Sequence, residues 1–189
     1  MDAYLQTCPV IDHGHPEVQK AASQLRSATG CQQETVKRCF EFVRDEIRHS
    51  WDFRINPVTC AASHVLEAGT GFCFAKSHLL AALLRANGIP AGLCYQRLSL
   101  DDSEERFCLH GLNAVYLQEH GWYRLDPRGN KLGVTSECRP PVEQLAYAIR
   151  LPGERDIPKI YERPLPQVVE VLQISTTYEE VAENLPDLP

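Results

Sequence analysis

Apolar residues recur at three- and four-residue steps through the first half of the chain and give way to short alternating runs after Pro90. The pattern predicts helices first and a sheet second. Residues 1 to 15 read as extended or irregular, punctuated by Pro9, Gly14 and Pro16. Pro16 suits a first helical turn, and Val18, Ala21, Ala22 and Leu25 form a stripe that stops at Gly30. A second helix is expected from Gln32 to His49, burying Val36, Cys39, Phe40, Val43 and Ile47 and turning its charges to solvent. Ser50 to Val58 reads as a loop, and Thr59 as the cap of a short helix from Cys60 to Ala68 that Gly69 ends. The next helix starts at Cys73, carries Leu79, Leu80, Leu83 and Leu84 on one face, and closes at Asn87-Gly88 ahead of Pro90.

Three strands follow: Ala91 to Leu100, Phe107 to Gln118 and Trp122 to Asp126. Their links are short, a charged turn over residues 101 to 106 and Glu119-His120-Gly121, so an antiparallel meander is expected. Beyond it, Pro140-Pro141 reads as the start of a helix to Ile149, Leu151 to Pro166 as irregular, and Val168 to Ile174 as a strand. Thr177 with Glu180 resembles a capping box for a last short helix. The fold class is therefore α+β, with helices packed on an antiparallel sheet.

Composition narrows the function classes. The 189 residues fit a single domain, and 43% hydrophobic residues can build a sizeable core. A net charge of −6 without any lysine or arginine cluster argues against a nucleic-acid or anionic-membrane surface. No apolar run follows a basic start, and none reaches the length of a membrane span, so the expected location is cytoplasmic. The eight cysteines are then expected as thiols. They show no C-x-x-C spacing, and no metal or cofactor is implied. His13 and His15, flanking Gly14, read as surface loop histidines.

Cys73 differs from the other seven in its position. The first turn of a helix offers unpaired N–H groups and the positive end of the dipole, which favour a thiolate. Such a nucleophile needs an imidazole to move protons and a carboxylate to orient the imidazole. His110 in one strand and Asp126 at the end of the next supply both. Their separation of 16 is even, so the two side chains can share a face and meet across the hairpin. Cys108, two residues before His110, should share that face and line the site. His78, five residues after Cys73, falls off its face. His64 reads as a partly buried structural histidine, and Cys39 and Cys94 as core.

Three blocks in this order resemble the transglutaminase-like superfamily found in many bacterial proteins. They are Gly71-Phe72-Cys73 through Arg85-Ala86-Asn87-Gly88-Ile89-Pro90-Ala91, His110-Gly111-Leu112-Asn113-Ala114-Val115-Tyr116-Leu117, and Gly121-Trp122-Tyr123-Arg124-Leu125-Asp126-Pro127. Phe42-Val43-Arg44-Asp45-Glu46-Ile47 fits the helix that precedes the core in such proteins, and the resemblance covers roughly residues 35 to 130. Leu112 departs from the aromatic that the family usually carries two places after its histidine. The resemblance implies a papain-like core, with Cys73 as nucleophile, His110 as acid/base and Asp126 as orienting carboxylate.

The implied chemistry is acyl transfer on a peptide, a protein or a small amide. Cys73 attacks the carbonyl, His110 protonates the leaving amine, and water or an amine resolves the thioester. One oxyanion donor would be the backbone N–H of Cys73. The family often draws the other from an upstream side chain, and Trp51 and Gln96 are the candidates here. The competing reading is a catalytically silent module that binds a protein partner in the same groove. A third idea makes residues 151 to 189 a lid over that groove or a completion of the sheet.

Overall fold

The computed structural model describes residues 1–101 and 105–188. The middle of the charged turn expected over 101 to 106, residues 102 to 104, therefore lies outside the described residues. Helix α1 spans Pro16–Leu25, with Pro16 in the first turn and His15 Nδ1 accepting the Glu17 N–H as its cap. Helix α2 (Gln32–Glu46) buries Val36, Cys39, Phe40 and Val43, as its periodicity predicts, and ends three residues earlier than expected. A two-residue strand β1 (Arg48–His49) replaces the last expected residues of that helix, and a single turn α3 (Ser50–Phe53) occupies the start of the expected loop. Helix α4 is Ala62–Ala68. Thr59 does not cap it: the Thr59 hydroxyl donates to Thr70 O, tying it instead to β2 (Thr70–Gly71), which pairs with β1.

Helix α5 (Cys73–Ala86) is the centre of the molecule. All its residues from Cys73 to Arg85 are buried, so it is enclosed rather than amphipathic. Helices α1, α2 and α4 pack around it, and one face of the main sheet closes the remaining side. The meander forms as expected, with β3 at Ala91–Ser99, β4 at Phe107–Leu117 and β5 at Gly121–Leu125. Both pairings are antiparallel, with Gln96 across from His110 and Asn113 across from Leu125.

The region after residue 130 departs from expectation. Pro140-Pro141 opens no helix. Instead, β6 (Glu137–Arg139) and β7 (Val142–Gln144) form a hairpin, pinned beside β5 where the Glu143 carboxylate accepts from Arg124 N and Arg124 Nε. The stretch read as irregular contains β8 (Arg155–Tyr161), a fourth strand added to β3, giving the sheet order β5-β4-β3-β8. Its edge position tolerates Pro158, which lacks a ladder donor. Val168–Ile174 is no strand but most of helix α6 (Pro166–Ile174), whose Val168, Val171 and Leu172 meet the core at helical spacing. Helix α7 (Tyr178–Glu183) is capped as expected, Thr177 Oγ1 accepting the Glu180 N–H. The C-terminal region thus both completes the sheet and packs into the main core. Among the described residues, no helix is long and apolar enough to cross a membrane.

Candidate active site

The site forms where β5 stops short. Its pairing with β4 runs only over Asn113–Leu117, so the outer edge of β4 from Phe107 to Leu112 has no neighbouring strand among the described residues. Helix α5 abuts that edge end-on. The approach depends on Gly111: a Cβ there would lie 2.7 Å from Phe74 Cδ1, 3.1 Å from Phe74 Cα and 3.3 Å from Phe74 N. With no side chain between them, the Gly111 N–H points at Cys73 Sγ, 3.5 Å away. The Ser77 hydroxyl donates to Cys73 O, 2.9 Å, within the same turn.

His110 and Asp126 come from the face of the sheet opposite α5. Continuing the β4–β5 register by one residue sets Asp126 across from Leu112, a diagonal step from His110 on the same face. His110 Nε2 donates to Asp126 Oδ2, 2.8 Å, so Nδ1 takes no part in that bond. Burial alone would lower the His110 pKa, but the Asp126 carboxylate and Cys73 outweigh it and push it up to about 10. Asp126 is fully buried. Burial there is overcome by His110 and by the Arg128 and Ala146 N–H groups, which hold its carboxyl below the ordinary range. Those two amides donate to Oδ1 and Oδ2 at 3.1 Å each, and Ser136 Oγ holds the Asp126 carbonyl at 2.6 Å.

Sequence reasoning missed several residues around this trio. The Tyr147 ring stands edge-on to the His110 ring at 5.0 Å, delivered by the connection after the β6–β7 hairpin where a helix was expected. Arg128 is buried and grips Asp52 through both terminal nitrogens, at 2.6 and 3.0 Å. Asp52 is held down at about 2, burial being overcome by the bonds from Arg128 and Lys131. His49 stands edge-on to Phe72 at 5.6 Å, and burial and the Arg128 charge keep its pKa well below the ordinary histidine value. Lys76, one turn after Cys73, is wholly buried and donates to Arg44 O and Ile47 O at the C-terminal end of α2. None of these carries a local sequence signal, because each acts through partners remote in the chain.

A cleft of about 550 Å³ opens over Cys73 and His110, walled among others by Trp51, Leu98, Cys108, Arg128 and Tyr147. Trp51 is half exposed, its ring edge-on to Tyr178 at 6.1 Å. Cys108 lines the cleft, and burial, reinforced by the neighbouring Cys73, pushes its thiol up to about 12. Gln96 does not line it. Its side chain is buried and its amide donates to Asp156 Oδ1 (3.0 Å) and Tyr147 O (3.4 Å), so the expected oxyanion donor points elsewhere. His78 is buried on Cys60 O, whereas His64 is exposed rather than partly buried. Cys39 and Cys94 are core residues, and all eight cysteines are free thiols. Among the described residues no group of three or more His, Cys, Asp or Glu side chains is placed to hold a metal.

Comparison with curated proteins returns no match. Two solved structures resemble the fold. One is a cysteine protease candidate from Cytophaga hutchinsonii, with TM-score 0.51 and 19% identity over 66% of this chain and 40% of that one. The other is the periplasmic domain of TgpA from Pseudomonas aeruginosa, with TM-score 0.50 and 25% identity over 66% of this chain and 45% of that one. The chain thus spans less than half the length of either. The sequence profile of the transglutaminase-like superfamily matches residues 19–127, from within α1 to just past Asp126. That stretch is more than half of the chain and contains α5, β4 and the end of β5 that together build the cleft, so the chain belongs to the transglutaminase-like superfamily.

Proposed function

We propose that this protein is a cysteine-dependent amide hydrolase or acyltransferase that works through a thioester. Membership in the superfamily supports a cysteine-type enzyme in general. The finer reading is carried by one observation: a cysteine sulfur, a histidine and a buried carboxylate converge at the open edge of β4, beneath a cleft. In the proposed cycle Cys73 Sγ attacks the amide carbon, the C–N bond breaks, and His110 gives its proton to the leaving amine. Water or a second amine then attacks the thioester carbon, His110 takes the nucleophile's proton, and the sulfur leaves. Asp126 fixes the His110 ring and stabilises its protonated form. The first-turn N–H of Cys73 is the main-chain donor for the oxyanion. Of Trp51 and Gln96, Trp51 borders the cleft and is the side-chain candidate.

Capture of the acylated protein from a lysate tests this reading, with mass identification of the acyl group on Cys73. An acyl group on Cys73 that disappears in Cys73→Ser and His110→Ala is the expected result. A partner that binds in the cleft equally well to wild type and Cys73→Ala, with no acyl group found, would favour a silent binding module instead.

A further inference from the structure

The open edge of β4 has a second occupant besides Cys73. In an antiparallel ladder alternate residues address each neighbouring strand. Asn113, Val115 and Leu117 lie in the stretch paired with β5, and by the same alternation Leu109 and Gly111 turn their N–H groups to the open edge. Gly111 N–H meets Cys73 Sγ, and Leu109 N–H is taken by the carbonyl of Pro186 at 2.7 Å. The two donors are two residues apart, about 7 Å along a strand. The segment that supplies Pro186 has no helix or strand of its own. Its anchorage is made of side chains: Arg97 Nε and Nη2 each hold an Asp187 carboxylate oxygen at 2.7 Å, and Arg155 Nη2 donates to Leu188 O at 2.6 Å. Phe107 supports the Arg97 guanidinium from below, 3.8 Å from the ring centroid. Leu185 of the same segment walls the cleft over Cys73.

We infer that the open edge at Leu109, with Arg97, is a recognition site for an extended acidic peptide. The substrate peptide places a carbonyl on Leu109 N–H and the carboxylate of its next residue on Arg97, and Leu185–Leu188 holds that place until displaced. This rests on the reading of Cys73 as the acyl-transfer nucleophile and assigns its substrate class. A main-chain donor some 7 Å from the one facing the sulfur has nothing to bind on a small amide, whereas a peptide reaches it with its second residue. A guanidinium fork presents paired donors matched to a carboxylate, which sets the acidic preference.

The probe is fluorescein-labelled Asn-Leu-Pro-Asp-Leu-amide, the sequence of residues 184–188, titrated by anisotropy into the full-length protein. Asp187→Ala frees the site, so binding about fivefold or more tighter than to wild type is expected, one charge-assisted pair having been removed from the competing segment. Asp187→Asn, the near-isosteric change, should act in the same direction. The probe with alanine in place of its aspartate should bind more weakly to both variants. Equal affinity for wild type and both variants, or indifference to the probe's aspartate, overturns the proposal. Cys73 alkylation by iodoacetamide, run in parallel with and without His110→Ala, reports separately on the catalytic reading. Peptide binding with a His110-independent thiol refutes catalysis and leaves the recognition site standing, and the converse refutes only the recognition site.

Discussion

Gly111→Ala is the sharpest test of how the site is assembled. The added methyl would stand 2.7 Å from Phe74 Cδ1, and the ring can swing away from that contact. It would also stand 3.1 Å from Phe74 Cα and 3.3 Å from Phe74 N, which cannot move without the helix. Ordinary carbon contacts lie at about 3.5–4.0 Å, so the first turn of α5 must retreat from β4 by roughly half an ångström or more. Phe74 adjoins Cys73, so the sulfur retreats with it, away from Gly111 N–H and from the His110 ring. Overpacking of this kind costs about 1–3 kcal/mol, which a shift in the urea midpoint will register. Displacement approaching 1 Å lowers the rate of a positioned reaction by about a hundredfold. The assay is the second-order rate of Cys73 alkylation by iodoacetamide, beside amide turnover on the substrate that acyl capture identifies. Gly14→Ala, where nothing lies within 4 Å of the new methyl, is the control and should change neither quantity. Wild-type stability and wild-type labelling in Gly111→Ala would mean that close backbone approach does not position Cys73.

Three further substitutions probe the supports. Asp126→Asn removes the charge that raises His110: the wild-type contribution is complete below the ordinary histidine value of about 6.5 and is lost as pH climbs toward about 10. The advantage of wild type over the variant in urea midpoint, measured at pH 6, 8 and 10, should therefore be largest at pH 6 and shrink as pH rises. Asp52→Asn removes a carboxyl held at about 2, so the wild-type protein should lose stability as pH drops from about 4 toward 2 while the variant loses less. Freed from Asp52, the Arg128 side chain should also loosen the turn that donates to Asp126, a decrease of about tenfold in turnover by analogy with other misplaced supporting groups. Lys76→Met deprives Arg44 O and Ile47 O of a donor where water has no access, costing about 1–3 kcal/mol by chemical denaturation. Burial, reinforced by Arg128, depresses the Lys76 amine to about 7. The Lys76 contribution therefore grows as pH rises from 7 toward the ordinary lysine range, so the difference in stability between wild type and the methionine variant should widen over that span.

The parts of the fold legible in the sequence are those in which neighbours along the chain decide the outcome. Periodicity located α2 and α5, and turn residues separated the three strands of the meander. The even spacing of His110 and Asp126, with a connection of odd length between their strands, sets both on one face. Where remote packing decides, local reading failed. Val168, Val169 and Val171 favour a strand by side-chain type, yet burial of Val168, Val171 and Leu172 at helical spacing prevails in α6. Gly153 and Pro158 look like loop punctuation, and only the free edge of β3 turns the stretch between Arg155 and Tyr161 into a strand. Tyr147 and the Ala146 N–H reach His110 and Asp126 because Glu143 anchors the preceding hairpin to Arg124, a contact that no spacing rule anticipates.

The shortness of β5 is what joins these pieces into a site. Cys73 is carried by a helix on one face of the sheet, and His110 projects from the other face, so a complete ladder would separate them. Because β5 reaches only Leu125 opposite Asn113, the edge of β4 stays open, with Cys73 Sγ at its Gly111 N–H and the His110 side chain near enough for Cys73 to act on it. The same truncation puts Asp126 one residue beyond the strand, free to turn toward His110 and to accept the Arg128 and Ala146 amides. A longer β5 would satisfy Leu109 and Gly111 with ladder hydrogen bonds, a stabler sheet locally and one without a cleft. The unpaired donors left by stopping early are the ones that Cys73 Sγ and Pro186 O now occupy. Catalytic geometry and peptide recognition would then share one physical origin, a strand edge that the fold leaves open.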